Sequence, residues 1–271
     1  MERAQLDTPY SLKIDQINFY RDNGYVHLHN VLPPALLESF RPHIGETVDK
    51  VTAGRRLPIE QRSTYDKAFL QAMNLWTIND HIRQFVFGKR LARIATGLMG
   101  CEGVRIYHDQ ALYKEPGGGF TPWHADQYYW PVSNDNTITA WIPLQDTPLD
   151  MGPLAFCPKS HRFRSGRELE ISDESELSLK EKLAKFGLAE EAFDLGDVSF
   201  HSGWTFHRAG ANKTSRMREV MTVIYIDMDI KLMKPKNKDQ VNDTQWWCPG
   251  VEIGEVIASP LNPILYSSRP E

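Results

Sequence analysis

Helical periodicity fills most of the first hundred residues of this chain and stops at Gly100; beyond it come short strand-like runs parted by turn residues. That change of texture leaves few architectures open. Asp15 to Asn23 predicts a short helix stopped by Gly24, and Pro33-Pro34 opens a second that runs to about Val51, because proline suits a first helical turn. Asn79-Asp80 caps a third, with Ile82, Phe85, Val86, Ile94, Ala95 and Leu98 near helical spacing and Gly100 as its stop; Gly88 interrupts the pattern. Gly24 to Asn30 alternates, Tyr25, His27 and His29 against Val26 and Leu28, and reads as a strand.

After Gly100, Val104 to Tyr107 and Ala111 to Tyr113 predict two short strands; Thr137 to Leu144 and Leu154 to Phe156 predict two more. Glu115-Pro116-Gly117-Gly118-Gly119 is a flexible turn. Residues 165–194 are charged, with a helical piece around Leu177 to Phe186, and Ala192 to Phe206 returns to strand-like texture. Met217 to Met228 is the strongest strand, with Val220, Thr222, Ile224 and Ile226 on one face and Met221, Val223 and Tyr225 on the other. The expected fold is mainly β with flanking α-helices, a sandwich or jelly roll in one domain: helical cover over about 1–100, core over about 101–230, and a tail over 231–271.

Composition excludes several classes. A length of 271 residues with 41% hydrophobic content supports a substantial single core. A formal charge of −4, without a Lys/Arg cluster, gives no basic face for nucleic acid or a membrane surface, so the expected partner is a small molecule. Three cysteines, Cys101, Cys157 and Cys248, are odd in number and none pair in C-x-x-C spacing, which argues against a disulfide framework or a structural zinc. The first seven residues lack a signal-type apolar core, and no apolar run reaches about 18 residues. A soluble, reducing, cytoplasmic setting is expected.

The chemistry centres on His124-Ala125-Asp126 and on His207, 83 residues after His124. On a strand, residues i and i+2 share a face about 6.6 Å apart, close enough for two side chains to lean onto one metal. Two imidazoles and one carboxylate suit ferrous iron and leave positions for O2 and a bidentate ligand. His207 ends a strand-like run before the turn-forming Arg208-Ala209-Gly210-Ala211-Asn212; His201 is its chief rival as third ligand. Arg216 and Arg218 follow on a shared strand face, and either guanidinium suits the far carboxylate of a dicarboxylate held at that metal.

Several ordered segments carry a family resemblance: Phe19 to Val26; Thr121-Pro122-Trp123-His124-Ala125-Asp126; Met151 to Leu154 with Cys157 to Arg162; and Leu195 to Val198 leading to His207, Asn212 and Arg218. Over roughly residues 15 to 230 the chain resembles the phytanoyl-CoA dioxygenase family of Fe(II)/2-oxoglutarate-dependent oxygenases. The resemblance implies a double-stranded β-helix, the cupin-like jelly roll. It implies His124, Asp126 and His207 as iron ligands, with 2-oxoglutarate as cosubstrate and O2 as oxidant. Family spacing chooses Arg218 over Arg216 for the C5 carboxylate of 2-oxoglutarate. Thr121 and Trp141 match positions that line the cosubstrate pocket, and Lys114 and Gln110 are further candidates there. The family's serine two residues after the distal histidine is here Ala209, which removes one hydrogen bond. Related halogenases carry Gly or Ala where Asp126 stands, so this carboxylate implies hydroxylation or another oxidation.

The implied activity is hydroxylation of an unactivated C–H of a small metabolite, with release of succinate and CO2. Tyr128, Tyr129 and Trp204, close to the metal motifs, are the candidate substrate contacts, able to stack on a ring or cage a cationic amine. Trp246-Trp247 and the turn-rich tail are expected to fold over the barrel mouth. Two rival readings use the same triad: a zinc hydrolase with a bound water, and a non-catalytic jelly-roll protein with a structural metal. The 2-oxoglutarate arginine and the ordered segments favour the oxygenase.

Overall fold

The structure, a computed structural model, describes residues 2–54 and 57–270, so Met1 of the leading segment lies outside the described residues. Local signals set the early helices. After α1 (Glu2–Asp7), α2 (Ile14–Asn23) ends where Gly24 takes φ 81°, its N–H donating to the Tyr20 carbonyl. That left-handed turn admits no side chain, because a Cβ on Gly24 would lie 2.4 Å from His161 Nδ1 and 2.5 Å from Thr205 Oγ1. β1 (Tyr25–Leu28) follows, then α3 (Pro34–Thr52), α4 (Thr64–Ala68) and β2 (Leu70–Met73).

The third predicted helix is two. α5 (Asp80–Val86), capped by the Asn79 side chain, and α6 (Lys89–Met99) part at Gly88, whose backbone is extended at φ −60°, ψ 127°. The interruption has a packing reason: a Cβ there would come within 3.0 Å of Leu6 on α1. The two short strands expected after Gly100 are one, β3 (Gly103–Tyr113), since the polar His108, Asp109 and Gln110 continue the ladder instead of ending it. β4 (Thr121–His124), β5 (Thr137–Pro143), β6 (Leu154–Phe156), α7 (Asp173–Leu183), β7 (Ala189–Glu190), β8 (Val198–Ser202), β9 (His207–Ala209) and β10 (Val220–Asp227) complete the expected core. The tail adds α8 (Lys238–Trp247) and β11 (Ile264–Ser267).

These strands form two antiparallel sheets. The larger runs β1-β8-β5-β10-β3-β11, with β2 also paired to β3; the smaller runs β4-β9-β6-β7. The alternation on β10 decides the layering. Met221, Val223 and Tyr225 pack with Phe40, Phe85 and Leu98 of the helices, while Val220, Thr222, Ile224 and Ile226 face away from that layer. β5 alternates the same way, Ile138, Ala140 and Ile142 toward the helices and Thr139 and Trp141 toward the cavity between the sheets. Helices, large sheet and small sheet thus make three layers, the jelly roll expected from the pattern. The large sheet also takes β1 and β2 from the helical cover and β11 from the tail, which pairs along β3 from Gly103 to Arg105. Cys101, Cys157 and Cys248 are all free. No described helix is long and apolar enough to cross a membrane.

Candidate metal and 2-oxoglutarate site

Pairing of β4 with β9 sets His124 directly opposite His207, with ring centroids 4.1 Å apart. Ala125 keeps the chain extended at φ −127°, ψ 128°, so Asp126, opening a 3₁₀ turn, still points to the same side as His124. The donor atoms of His124, Asp126 and His207 all lie within 4.8 Å of one another. Asp126 Oδ1 is 3.6 Å from His124 Nε2 and 3.5 Å from His207 Nε2.

The tautomers follow from partners. His124 Nδ1 donates to the Pro122 carbonyl at 2.8 Å and His207 Nδ1 to the Thr205 carbonyl at 2.9 Å. A carbonyl oxygen only accepts, so both Nδ1 atoms carry hydrogen and, in the neutral rings, both Nε2 lone pairs face the carboxylate. Two lone pairs and an anion around one point repel unless a cation joins them, and donors bound at about 2 Å to one centre suit this spacing. The residues therefore fit a divalent transition metal.

Asp126 is held from behind. Its Oδ2 accepts from Thr139 Oγ1 at 3.0 Å and from His201 Nε2 at 3.1 Å. His201 is thus placed as a donor to Asp126 and is absent from the donor cluster, which answers its rivalry with His207. Burial alone would push the Asp126 carboxyl up, but the imidazoles of His207, His124 and His201 hold it well below the usual carboxylate range. His207 moves well below its ordinary value through burial and the neighbouring His124 and His201, against the pull of Asp126. Thr139→Val removes one of the two hydrogen bonds orienting Asp126, and about a tenfold loss of Fe(II) affinity is expected, read by anaerobic metal titration.

Arg218 lies just before β10, its backbone paired with Lys114. Its side chain is 1% exposed, stacks over Trp141 at 5.7 Å, and lines the same cavity as the triad. Nη1 donates to the Gly152 carbonyl at 2.6 Å, and Nε has no partner. Among the described residues no carboxylate pairs with it, and burial pulls its pKa down to about 9. A buried, unneutralised guanidinium facing a cavity is a seat for an anion. Arg216 is exposed. Gly152 supplies the acceptor from φ 72°, where a Cβ would meet the Gly210 carbonyl oxygen at 2.3 Å.

The chain matches the family model for phytanoyl-CoA dioxygenase (PhyH) over residues 20–220. The chain belongs to the phytanoyl-CoA dioxygenase family. As a member it is an Fe(II)- and 2-oxoglutarate-dependent dioxygenase, and the triad fits its iron. It is 22% identical over 255 residues to the human peroxisomal phytanoyl-CoA dioxygenase, covering 85% of this chain and 73% of that one. It is 24% identical over 162 residues to a probable alpha-ketoglutarate-dependent hypophosphite dioxygenase of Stutzerimonas stutzeri. That match takes in 55% of this chain and 54% of the relative, about half the length of each. Among solved structures, the non-heme alpha ketoglutarate-dependent carbocyclase SnoK from nogalamycin biosynthesis superposes with a TM-score of 0.79 at 26% identity. That superposition covers 95% of this chain and 99% of SnoK. Relatives in the phytanoyl-CoA dioxygenase family act on small molecules, as their names state.

The other expected site residues divide. Thr121, Trp141, Gln110 and Tyr129 line the cavity of about 280 Å³ that holds the triad and Arg218. Gln110 Oε1 already accepts from Gln71 Nε2 at 2.6 Å. Lys114 does not line it: the fully buried amino group turns behind Thr121, donating to the Gly119 carbonyl at 2.5 Å. Burial, then Arg218 and Arg208, pull its pKa down to about 6. Tyr128 turns away as well, its hydroxyl donating to Asp239 Oδ2 at 3.3 Å. Trp204 sits outside, beneath the Arg167 guanidinium at 4.2 Å, and donates to Asp135 Oδ1 at 2.9 Å. Proximity in sequence misled both assignments, because the 3₁₀ turn after Asp126 and the turn before His207 rotate those rings outward.

Sequence reasoning missed Thr139, His201 in its orienting role, Gly152, and the helical form of α8 with its cavity-facing carboxylates, although it expected Trp246-Trp247 over the barrel mouth. A signal for α8 was present: Asn237 three residues before Gln240 is a capping pattern, and the Asn237 side chain accepts from the Gln240 N–H. Trp246 and Trp247 of that helix line the cavity, as do Asp239 and Asp243. Asp243 accepts from the Tyr107 hydroxyl at 3.2 Å, and burial pushes its pKa up to about 8. Its folded pKa thus stands above the unfolded value of about 3.9, so the folded state binds the proton more tightly. Its contribution to stability is fully present below about pH 4 and is lost as pH rises to about 8. Asp243→Asn, which does not titrate, gains melting temperature relative to the parent across that window; parallel curves would refute this.

Proposed function

We propose that the chain works as a single Fe(II)/2-oxoglutarate oxygenase unit that hydroxylates a C–H bond of a small metabolite. His124, Asp126 and His207 would hold the iron, and Arg218 would pair with the C5 carboxylate of 2-oxoglutarate. When bound, iron with 2-oxoglutarate and O2 supplies the oxidising power, releasing succinate and CO2. The protein residues bind, orient and shield. Arg218, pinned by Gly152, fixes the far end of the dicarboxylate, so its oxo-acid end is directed at the triad. Thr121 and Trp141 wall that half of the cavity, and Tyr129 and Trp130 help to screen the other from water. The Tyr129 ring is fixed by the Ile171 N–H, which donates to its hydroxyl at 3.0 Å. Ala209 also lines the cavity and offers no hydroxyl, so Thr121 or a tyrosine would supply one to the cosubstrate.

The observation that carries this reading is the pair of imidazoles with Nδ1 bound to backbone and Nε2 turned to one carboxylate oxygen, sharing a cavity with an unpaired buried arginine. A zinc hydrolase has no use for that arginine, and a structural metal needs no adjoining cavity. Anaerobic addition of Fe(II) and then 2-oxoglutarate is expected to give a weak visible charge-transfer band, followed by a metabolite screen read as succinate release. Absence of 2-oxoglutarate binding in the presence of Fe(II) would overturn the proposal.

A further inference from the structure

The cavity has a second half that the metal and the dicarboxylate leave free. It is bounded by α8, by Tyr65 of α4 and by the turn carrying Tyr129. Two carboxylates line it, Asp239 and Asp243, one helical turn apart on the same face of α8. Burial and the neighbouring Asp239 both disfavour the charged form of Asp243, so the pair carries its full negative charge only when a cation joins it or the pH exceeds about 8. Natural interiors bring such a pair together with a cation. Here, among the described residues, Arg218 is the sole Lys or Arg lining the cavity, and it sits with Gly152 and Trp141, not with α8. The groups acting on Asp243 are Tyr107, Trp247 and Asp239, none of them cationic.

The remaining walls are aromatic. Tyr65, Tyr129, Trp246 and Trp247 present rings around the two carboxylates, and ring faces attract cations. His108 lies beside Trp247, ring centroids 5.0 Å apart, buried with Nδ1 unpartnered. Burial pulls its pKa down to about 4, so it adds a polar contact without adding positive charge. Phosphate or carboxylate groups would meet two acidic side chains here and no described counter-ion.

We infer that this half of the cavity takes an organic cation, a protonated amine on a small apolar or ring scaffold, with Asp239 and Asp243 as its charge partners and the aromatic rings as its walls. The inference rests on the proposed function only in assigning Arg218 and Asp126 to the dicarboxylate and the metal. A cavity of about 280 Å³ shared with 2-oxoglutarate keeps the buried part of the substrate small.

The test is calorimetric titration of the full chain at pH 9, above the Asp243 pKa of about 8, with 2-phenylethylamine, a cation, and 2-phenylethanol, its neutral counterpart. The amine is expected to bind at least about tenfold tighter, and the preference to vanish in Asp239→Asn/Asp243→Asn. Asp239→Asn alone, at a partly exposed position, is expected to lose part of it and guards against misfolding of the double variant. Equal binding of the two probes, no binding of the amine at millimolar concentration, or an undiminished preference in the variants would overturn the inference. Because the titrations need neither metal nor 2-oxoglutarate, their outcome is independent of the charge-transfer experiment that tests the oxygenase reading.

Discussion

Asp126→Ala is expected to weaken Fe(II) binding by more than about 100-fold and to abolish 2-oxoglutarate-dependent succinate release, while the protein stays folded. The magnitude follows from what the carboxylate does. Loss of an outer hydrogen-bond partner to a metal ligand costs about 10–100-fold, and loss of the anionic ligand itself costs more. Its Oδ1 is the common neighbour of both Nε2 atoms, and its Oδ2 is the acceptor for Thr139 and His201. Removing it leaves two neutral imidazoles and no anion for the metal. Folding should survive, because β4, β9 and the large sheet are held by ladders and apolar layers that do not involve the carboxylate. Anaerobic Fe(II) titration with circular dichroism checks both halves. Parental affinity in the variant would remove Asp126 from the site.

Arg218→Met has the second large effect, and its sign differs between binding and stability. Truncating one member of a desolvated charge pair costs about 3–5 kcal/mol, so affinity for 2-oxoglutarate should fall by about 100-fold or more. Without ligand the guanidinium is buried with its Nε unsatisfied and no described carboxylate beside it. An apolar side chain of similar length relieves that cost, so the ligand-free variant should melt no lower than the parent. Saturating 2-oxoglutarate should then raise the melting temperature of the metal-loaded parent and not of the variant. Arg218→Lys should not restore binding, since a single ammonium cannot both donate to the Gly152 carbonyl and clasp a carboxylate in a fork. A variant that binds 2-oxoglutarate as the parent does would exclude Arg218 from the cosubstrate site.

Legibility varied with how local the cause was. Gly24 and Gly100 end helices in left-handed turns, and both were readable because the backbone geometry is set within four residues. The β10 alternation was readable because one face meets helices and the other the cavity. The break at Gly88 was visible as a weakness but not as a break, since its cause is Leu6, more than eighty residues away in the chain. β3 read as two strands because its middle is polar. His108 and Gln110 line the cavity, and Asp109 accepts from the N–H groups of Leu75 and Trp76 at 3.0 and 3.2 Å. Those polar residues are at home in a strand whose face borders a site.

The sequence by itself determined the donor types, the i, i+2 spacing of His124 and Asp126, the helical and strand periods and the order of the family segments, all properties of neighbours along the chain. The family resemblance named His207 over His201; only the tertiary structure showed how the two part, because they lie on different sheets and the β4–β9 ladder brings His207 face to face with His124. It also turned Lys114, Tyr128 and Trp204 away from the cavity and brought α8 onto it. Such placements depend on contacts between residues far apart in the chain, whose energies no local pattern of side chains encodes.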